Sequence, residues 1–308
     1  MSSPYRKASS FFKEKFGAKV YRVAVDAGFT CPNRDGTLAF GGCIFCDEEG
    51  SRASYVNPAI PIREQVIDGI NKLRSSYGVE KFIVYFQSYS NTYAPVEKLR
   101  KIYYEGLLAH PDIVGISIST RPDLLSEDIL DLLDEISNVY FVMLEIGVQT
   151  FNYSSLIKSR RFHTVADSID AILRARKRNI NIVAHMILDL FDEIPPAAID
   201  GGRILSVLGV HGIKIHNLYV IKNTDLEVLY KRGKIKVHER AKDFARLVVR
   251  FLENIRPDMV IHRLQGFASK RRLVAPLWTA NKHIIPNLVE KIMQESNTYQ
   301  GKFYKYGD

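Results

Sequence analysis

Apolar positions along this chain alternate between two spacings. Short runs dense in valine, isoleucine and aromatic residues occur at 20–25, 81–87, 113–119, 140–148, 181–190 and 212–219, and each predicts a strand. Between them, stretches at 61–77, 96–109, 126–136, 164–178 and 197–208 repeat apolar residues every three or four positions, as an amphipathic helix requires. Strand and helix in regular alternation predict repeated βα units around a mainly parallel sheet. Several helix starts carry their own signals. Ser126 precedes Glu127 and an apolar run, Thr164 has Asp167 three residues on, and Thr224 has Glu227 three residues on with Gly233 to close the helix.

After the sixth strand the pattern changes. An amphipathic stretch at 238–255 stops before Pro257, a short strand is expected at 260–264, and a last helix near 280–295. The expected organisation is an α/β fold: a partial (βα)6 TIM-like barrel with its N-terminal segment over residues 1–222, and a C-terminal α/β extension over 223–308 that packs on the barrel and shares its core. No low-complexity segment, long linker or internal repeat beyond the βα alternation breaks this order.

Composition adds constraints on location and partner. With 308 residues, 46% of them hydrophobic and 25% charged, the chain suits a globular protein with a large buried core. It has no run of about 18 apolar residues, so no membrane span is expected. Residues 1–20 hold no stretch like a secretory signal, which points to the cytoplasm. Lys and Arg number 43 against 34 Asp and Glu, a net charge of +9 that favours a polyanionic partner. The cations gather at Lys158, Arg160 and Arg161, at Arg174, Arg176, Lys177 and Arg178, and at Lys270, Arg271 and Arg272. The second group fits a helix C-terminus, whose dipole it complements, as well as it fits a phosphate-binding patch.

The chemistry concentrates in one loop. All three cysteines fall within sixteen residues, Cys31-Pro-Asn-Arg-Asp-Gly-Thr-Leu-Ala-Phe-Gly-Gly-Cys43-Ile-Phe-Cys46. Their odd number and the missing secretory signal argue against a disulfide. A closed zinc site needs a fourth ligand, but the first histidine is His110, and Asp47 or Glu48 would be unusual there. An iron–sulfur cubane held by three thiolates instead leaves one iron open to another ligand. Cys43-x-x-Cys46 alone fits zinc as well as iron–sulfur; Cys31, twelve positions earlier, favours the cluster.

Polar residues also recur at the strand ends, which share one face in a parallel βα barrel. The second strand leads into Gln87, Ser90 and Asn91, the third into Arg121 and Asp123, and the fourth contains Glu145 and ends at Gln149. The fifth holds His185 and leads to Asp189, Asp192 and Glu193, and the sixth holds Lys214 and His216 before Asn217. Most have ordinary explanations taken singly: Gln87 and Asn91 as caps, Arg121 paired with Asp123, His185 as a hydrogen-bonded core residue. Glu145 is different. It interrupts an apolar strand, alternates onto one face with Met143 and Gly147, and as a buried carboxylate requires a partner.

Cysteine loop, strand count and strand-end residues together resemble the radical S-adenosylmethionine (SAM) superfamily, in the branch related to the Elongator catalytic subunit and the oxygen-independent coproporphyrinogen oxidases. Within it the chain is similar to a bacterial subfamily with widely spaced cysteines. The resemblance rests on Thr30-Cys-Pro-Asn-Arg-Asp-Gly-Thr37, Tyr85-Phe-Gln-Ser-Tyr-Ser-Asn-Thr-Tyr-Ala-Pro95, Ser119-Thr-Arg-Pro-Asp123, Leu144-Glu-Ile-Gly-Val-Gln-Thr150 and Leu273-Val-Ala-Pro-Leu-Trp278.

That resemblance implies a barrel of the radical SAM type. It further implies that Cys31, Cys43 and Cys46 hold a [4Fe-4S] cluster, with the amino and carboxylate groups of SAM on the fourth iron, and that reductive cleavage yields a 5′-deoxyadenosyl radical. Phe45 would lie near the adenine. Gln87, Ser90 and Asn91 would face the methionine amine, and Arg121, Glu145, Gln149 and His185 would surround the ribose and methionyl groups, Glu145 counting with the cysteines among the catalytic residues. A reductant such as flavodoxin or ferredoxin would supply the electron. The implied substrate is a tRNA wobble uridine with an amino-acid-like side chain at carbon 5. Lys158, Arg160, Arg161, Arg174 and the 270–272 cluster would then meet the anticodon stem-loop, and Tyr89, Tyr93 or Trp278 would stack a base. One departure stands out: where relatives read Gly-Leu-Pro-Gly-Glu, this chain has Asp189-Leu-Phe-Asp-Glu193, adding bulk and charge where the adenine would pass. Two alternatives stay open, a non-catalytic RNA-binding protein with a structural cluster or zinc, and a radical enzyme acting on a small metabolite.

Overall fold

The strand-forming runs pair side by side in the order in which they occur. In a computed structural model, which describes residues 3–306 apart from 51, 54 and 193 and only the backbone of residue 192, six strands follow the expected positions. They are β1 (Val20–Val25), β2 (Lys81–Phe86), β3 (Ile113–Thr120), β4 (Phe141–Gln149), β5 (Asn181–Ile187) and β6 (Gly212–His216). Two more segments, β7 (Val220–Ile221) and β9 (Leu273–Ala275), form a small antiparallel sheet of their own. The remaining strand, β8 (Val260–Arg263), pairs parallel with β6, so the main sheet has seven strands in the order β1-β2-β3-β4-β5-β6-β8. All its pairings are parallel.

Helices connect the strands. They are α1 (Ala8–Phe16), α2 (Ile62–Tyr77), α3 (Val96–Leu107), α4 (Glu127–Ser137), α5 (Tyr153–Lys158), α6 (Val165–Ala175), α7 (Pro195–Val207), α8 (Asp225–Lys231), α9 (Ala241–Glu253) and α10 (Ile284–Glu295). One continuous apolar core joins the strands to the helices outside them, and it includes residues of α9, β8 and α10. Thr164 caps α6 through a reciprocal pair of bonds with Asp167, and Thr224 accepts from the Glu227 backbone at the start of α8. Ser126 makes no side-chain cap, and Glu127 instead pairs with Arg174 and Arg178.

Helix α1 was not expected from the sequence. Its Phe12 packs with Ile83, Met143 and Val183, residues that alternate with Tyr85, Glu145 and His185 on β2, β4 and β5. Phe11 and Phe16 lean on Phe141. This aromatic group covers the inner face of the sheet near the strand starts, leaving the other end open.

Helix α7 lies close to α9 at Gly202, where an added Cβ would stand 2.6 Å from the Phe251 ring and 2.8 Å from Ile255. Gly202→Ala is predicted to destabilise the fold by about 1–3 kcal/mol through overpacking, despite the better helix propensity of alanine. Chemical denaturation measures this, and an unchanged midpoint would contradict the close approach.

Candidate active site

The cysteine loop follows β1 and is held against the segment after α5. Asn33 donates through Nδ2 to the carbonyls of Arg160 at 2.9 Å and Arg161 at 3.2 Å, and to the Cys43 sulfur at 3.3 Å. Arg161 is buried, donating to the Gly147 carbonyl at 2.8 Å and reaching Cys43 Sγ at 3.6 Å. All three thiols are free. The neighbouring Cys46 thiol, with Arg161, Asn33 and Arg121, holds Cys43 well below the usual thiol range in spite of its burial. The Cys43 thiol is thereby held toward the thiolate, while the same contact and burial push the Cys46 thiol up. Among the described residues no three His, Cys, Asp or Glu side chains are grouped to hold a single metal ion; a cubane binds each of its thiolates through a different iron.

The three cysteines open into a cavity of about 650 Å³ at the open end of the sheet. Phe45, Gln87, Ser90, Arg121, Glu145, Gln149 and His185 also line it, so the structure brings these expected site residues together with the cysteines. Asn91 stands apart from the lining. Its backbone N–H and its Nδ2 both donate to the Ser119 carbonyl, at 3.0 and 2.9 Å, and tie the loop after β2 to β3. Arg121 makes the expected fork with Asp123 and donates to the Arg161 carbonyl at 2.7 Å, while its Nη1 is buried with no partner among the described residues.

Glu145 is fully buried beneath this cavity and its partners are now identified. Oε1 accepts from Ser117 at 2.8 Å; Oε2 accepts from Tyr85 and faces His185 Nε2, both at 2.9 Å, and also meets Lys214 Nζ. Ser119 adds a bond at 3.2 Å, and Arg22 lies 3.8 Å from Oε1. Burial opposes the charge, but Lys214, Arg22 and His185 outweigh it and hold the carboxyl well below the usual range. Burial pulls Lys214 down in turn, and takes His185 down to about 4, so its imidazole is neutral at pH 7. These partners were visible as alternate positions on β1, β2, β3 and β6. Of these partners Lys214 is among the strand-end polar residues legible in the sequence, whereas Tyr85, Ser117 and Arg22 carry no such signal.

Asp189, expected to add bulk and charge in the loop after β5, is turned into the protein. It is buried, accepts from the Leu218 backbone at 2.6 Å through Oδ1, pairs with His238 Nδ1 at 2.9 Å through Oδ2, and stands outside the cavity lining. Phe191 takes a left-handed conformation, φ 51, and packs with Ile44, Leu190 and Leu218. Glu193 lies outside the described residues. The basic groups divide as well. Arg174 and Arg178 pair with Glu127, Asp170 and Asp131 from α4 and α6, which favours the structural reading of that cluster over phosphate binding. Arg161 is committed to the cysteine loop, a correction to its expected RNA contact. Trp278 stacks on Phe244, with ring centroids 5.6 Å apart, and donates to the His238 carbonyl at 2.7 Å, while Tyr89 lines the cavity.

Two predictions follow from these buried charges. Glu145→Ala leaves Lys214 and Arg22 without their counter-ion and should cost about 3–5 kcal/mol in denaturant unfolding, with part of the loss recovered when Lys214→Met is added. Equal stability of Glu145→Ala and wild type would contradict the network. Asp189 raises the His238 pKa, so the stability this pair adds is fully present below the unfolded value of about 6.5 and lost as pH rises through the higher folded value. Asp189→Asn should therefore destabilise more at pH 6 than at pH 8.5, by up to about 1 kcal/mol in difference.

Comparison with known proteins agrees with this geometry. The pattern of the Radical SAM superfamily matches residues 31–194, and that of the Radical SAM C-terminal domain matches residues 210–295. The Bacillus subtilis protein YtqA is 36% identical over 301 residues, covering 98% of this chain and 93% of its own. Saccharomyces cerevisiae Elongator complex protein 3 is 30% identical over 155 residues, 49% of this chain and 27% of that protein. Among solved structures, the archaeal Methanocaldococcus infernus Elp3 with an N-terminal deletion superimposes with a TM-score of 0.68 at 17% identity, spanning 91% of this chain and 64% of that one, and so shares the fold. Superfamily match and near full-length likeness to YtqA establish that this chain belongs to the radical SAM superfamily, whose cofactors are a [4Fe-4S] cluster and SAM.

Proposed function

We propose that this chain is a radical SAM enzyme that modifies the carbon-5 side chain of a wobble uridine in tRNA. The observation that carries the catalytic half is the opening of the three-thiol loop into the same cavity as the strand-end polar groups. The residues present fit both cofactors. Three free thiols, one of them held toward the thiolate, provide a donor set for a cluster with one open iron. The unpaired Arg121 Nη1 would suit an anionic group such as the SAM carboxylate, and the cavity is of small-molecule size. Gly147 fits a close approach, since a Cβ there would come within 2.9 Å of the Gln149 amide and 3.2 Å of Arg161.

In this reading Cys31, Cys43 and Cys46 hold the cluster, and Phe45, Gln87, Ser90, Arg121, Gln149 and His185 surround SAM. When bound, these groups supply a reductively generated carbon radical for hydrogen-atom abstraction, with flavodoxin or ferredoxin as electron source. The protein supplies position and exclusion of water. Tyr55, Tyr89 and Phe267 line the cavity, and aromatic walls that closed over a bound substrate would shield reactive species from solvent. The saturated Glu145 network keeps the floor fixed, and neutral His185 beside it is able to relay a proton without becoming a permanent charge.

Support for tRNA comes from the likeness to Elongator complex protein 3 and from the basic surface. Lys270 and Arg271 are exposed next to the cavity-lining Ser269 and Arg272, and Lys158 is exposed at the end of α5. Arg160 pairs with Asp225 and Arg272 with Asp47 and Glu49, so Lys158, Lys270 and Arg271, which have no ion pair among the described residues, are the ones left for phosphate. Two measurements test this. Affinity for unmodified tRNA should fall linearly in log–log form with salt, and charge reversal of Lys158, Lys270 and Arg271 together should flatten the slope by about two to three units. Mass spectrometry of wobble nucleosides in tRNA incubated with the reduced holoenzyme should show a changed carbon-5 substituent; tRNA left unchanged, with SAM cleaved, would reject the substrate.

A further inference from the structure

The cavity contains six arginines, and five of them are committed to protein acceptors. Arg34 donates to the Gly41 and Asp47 carbonyls, Arg52 to Asp26, Arg121 to Asp123, Arg161 to the Gly147 carbonyl, and Arg272 to Asp47 and Glu49. Arg263 has no hydrogen-bond or ion-pair partner among the described residues. It is present in the cavity because β8 carries a bulge. Ile213 pairs with Ile261, but the next residue, Lys214, pairs with Arg263, so β8 advances two residues against one on β6. Without that extra residue His262 would oppose Lys214, and Arg263 would share the outer face with Ile215 in the apolar core. The bulge therefore places a guanidinium on the inner face.

Its surroundings call for an anion. Lys214 and Arg22 share a single carboxylate, Glu145, whose oxygens are already taken by protein donors, and Arg263, an exposed residue of the cavity lining in register with Lys214, adds a further positive charge on that side. His216, two residues along the same face of β6, stacks on His185 at 5.4 Å and lines the cavity with its Nε2 buried and unpartnered. Arg121 stands at the other side of the site, after β3, with β4, β5 and β6 between it and β8 in the sheet order. Among the described residues the cavity thus has unpaired guanidinium N–H donors in two separate places, Arg121 Nη1 and Arg161 Nε on the side of the cysteine loop and Arg263 away from it. A nucleic acid presents its backbone phosphates outside while a base that undergoes chemistry turns into the pocket. The group that reaches Arg263 is then a substituent on the base.

We propose that Arg263, with His216 as second donor, binds a carboxylate carried by the carbon-5 side chain of the substrate and so selects an amino-acid-like substituent. This rests on the reading of the substrate as a modified uridine. A planar guanidinium matches the two oxygens of a carboxylate, and replacing it by an amide or an ammonium loses that fork.

The test compares equilibrium binding to wild type, Arg263→Gln and Arg263→Lys, each reconstituted with cluster and SAM. The probes are uridine bearing an amino-acid side chain at carbon 5, the same nucleoside with the carboxylate converted to carboxamide, and free glycine. SAM affinity and circular dichroism are recorded in parallel. Wild type should prefer carboxylate over carboxamide by about 10- to 100-fold, the range of a charge-assisted pair. Arg263→Gln should erase the preference, Arg263→Lys should retain only part of it, and SAM affinity should stay within twofold. A preference that survives in Arg263→Gln overturns the proposal, as does a fall in SAM affinity in its place, which would assign the guanidinium to the carboxylate of SAM. Glycine separates the two ideas: binding of glycine that depends on Arg263, with neither nucleoside bound, keeps the carboxylate subsite and rejects uridine, whereas no Arg263-dependent binding of any probe rejects the subsite.

Discussion

A buried carboxylate with no access to water organises the interior of this protein. Glu145 sits on the central strand β4, and its ligands come from β2, β3, β5 and β6, with Arg22 of β1 nearby. An isolated charge there would be unfavourable, whereas one that is surrounded by donors ties the strands to a single register. A one-residue slip of any of these strands would turn its donor into the outer apolar core. The polar interior and the parallel sheet are thus mutually dependent, and the cavity above inherits fixed walls.

Around that centre the two ends of the sheet serve different purposes. The α1 aromatics seal the strand starts, and the cysteine loop with its Asn33 and Arg161 supports forms part of the wall at the strand ends. The C-terminal segment contributes more than a cover. Through β8 it completes the sheet and brings Arg263 to the cavity, and through His238 and Trp278 it is tied to Asp189 after β5. Asp189 therefore reads as a structural tie. That weakens the case for a non-catalytic protein, which drew on the idea that Asp189 obstructs SAM.

The sequence made the repeating parts legible and obscured the irregular ones. Alternation identified the six strands within a few residues because each is apolar on its outer face and carries a few polar residues on its inner face, and the grouping of Cys31, Cys43 and Cys46 in one loop, which the fold opens into one cavity, was visible in the sequence. Arg263 was not, because a bulge breaks the period of two that assigns faces. Helix α1 was missed because its aromatic stripe, Phe11, Phe12 and Phe16, is interleaved with lysine and glutamate and has no side-chain cap. Asn91, a ligand candidate by position, gives its Nδ2 to the Ser119 carbonyl, while its Oδ1 is buried without a partner among the described residues. Asp189 looked like an obstruction because sequence shows a charge but not the direction in which it points.

The most direct test is anaerobic reconstitution with iron and sulfide, reduction with dithionite, and quantitation of 5′-deoxyadenosine formed from SAM, with Cys43→Ala as control. Product formed by the wild type and lost by at least about 100-fold in Cys43→Ala, the order expected when an essential catalytic group is removed, is the predicted result. A fully loaded cluster that binds SAM but yields no 5′-deoxyadenosine would contradict it.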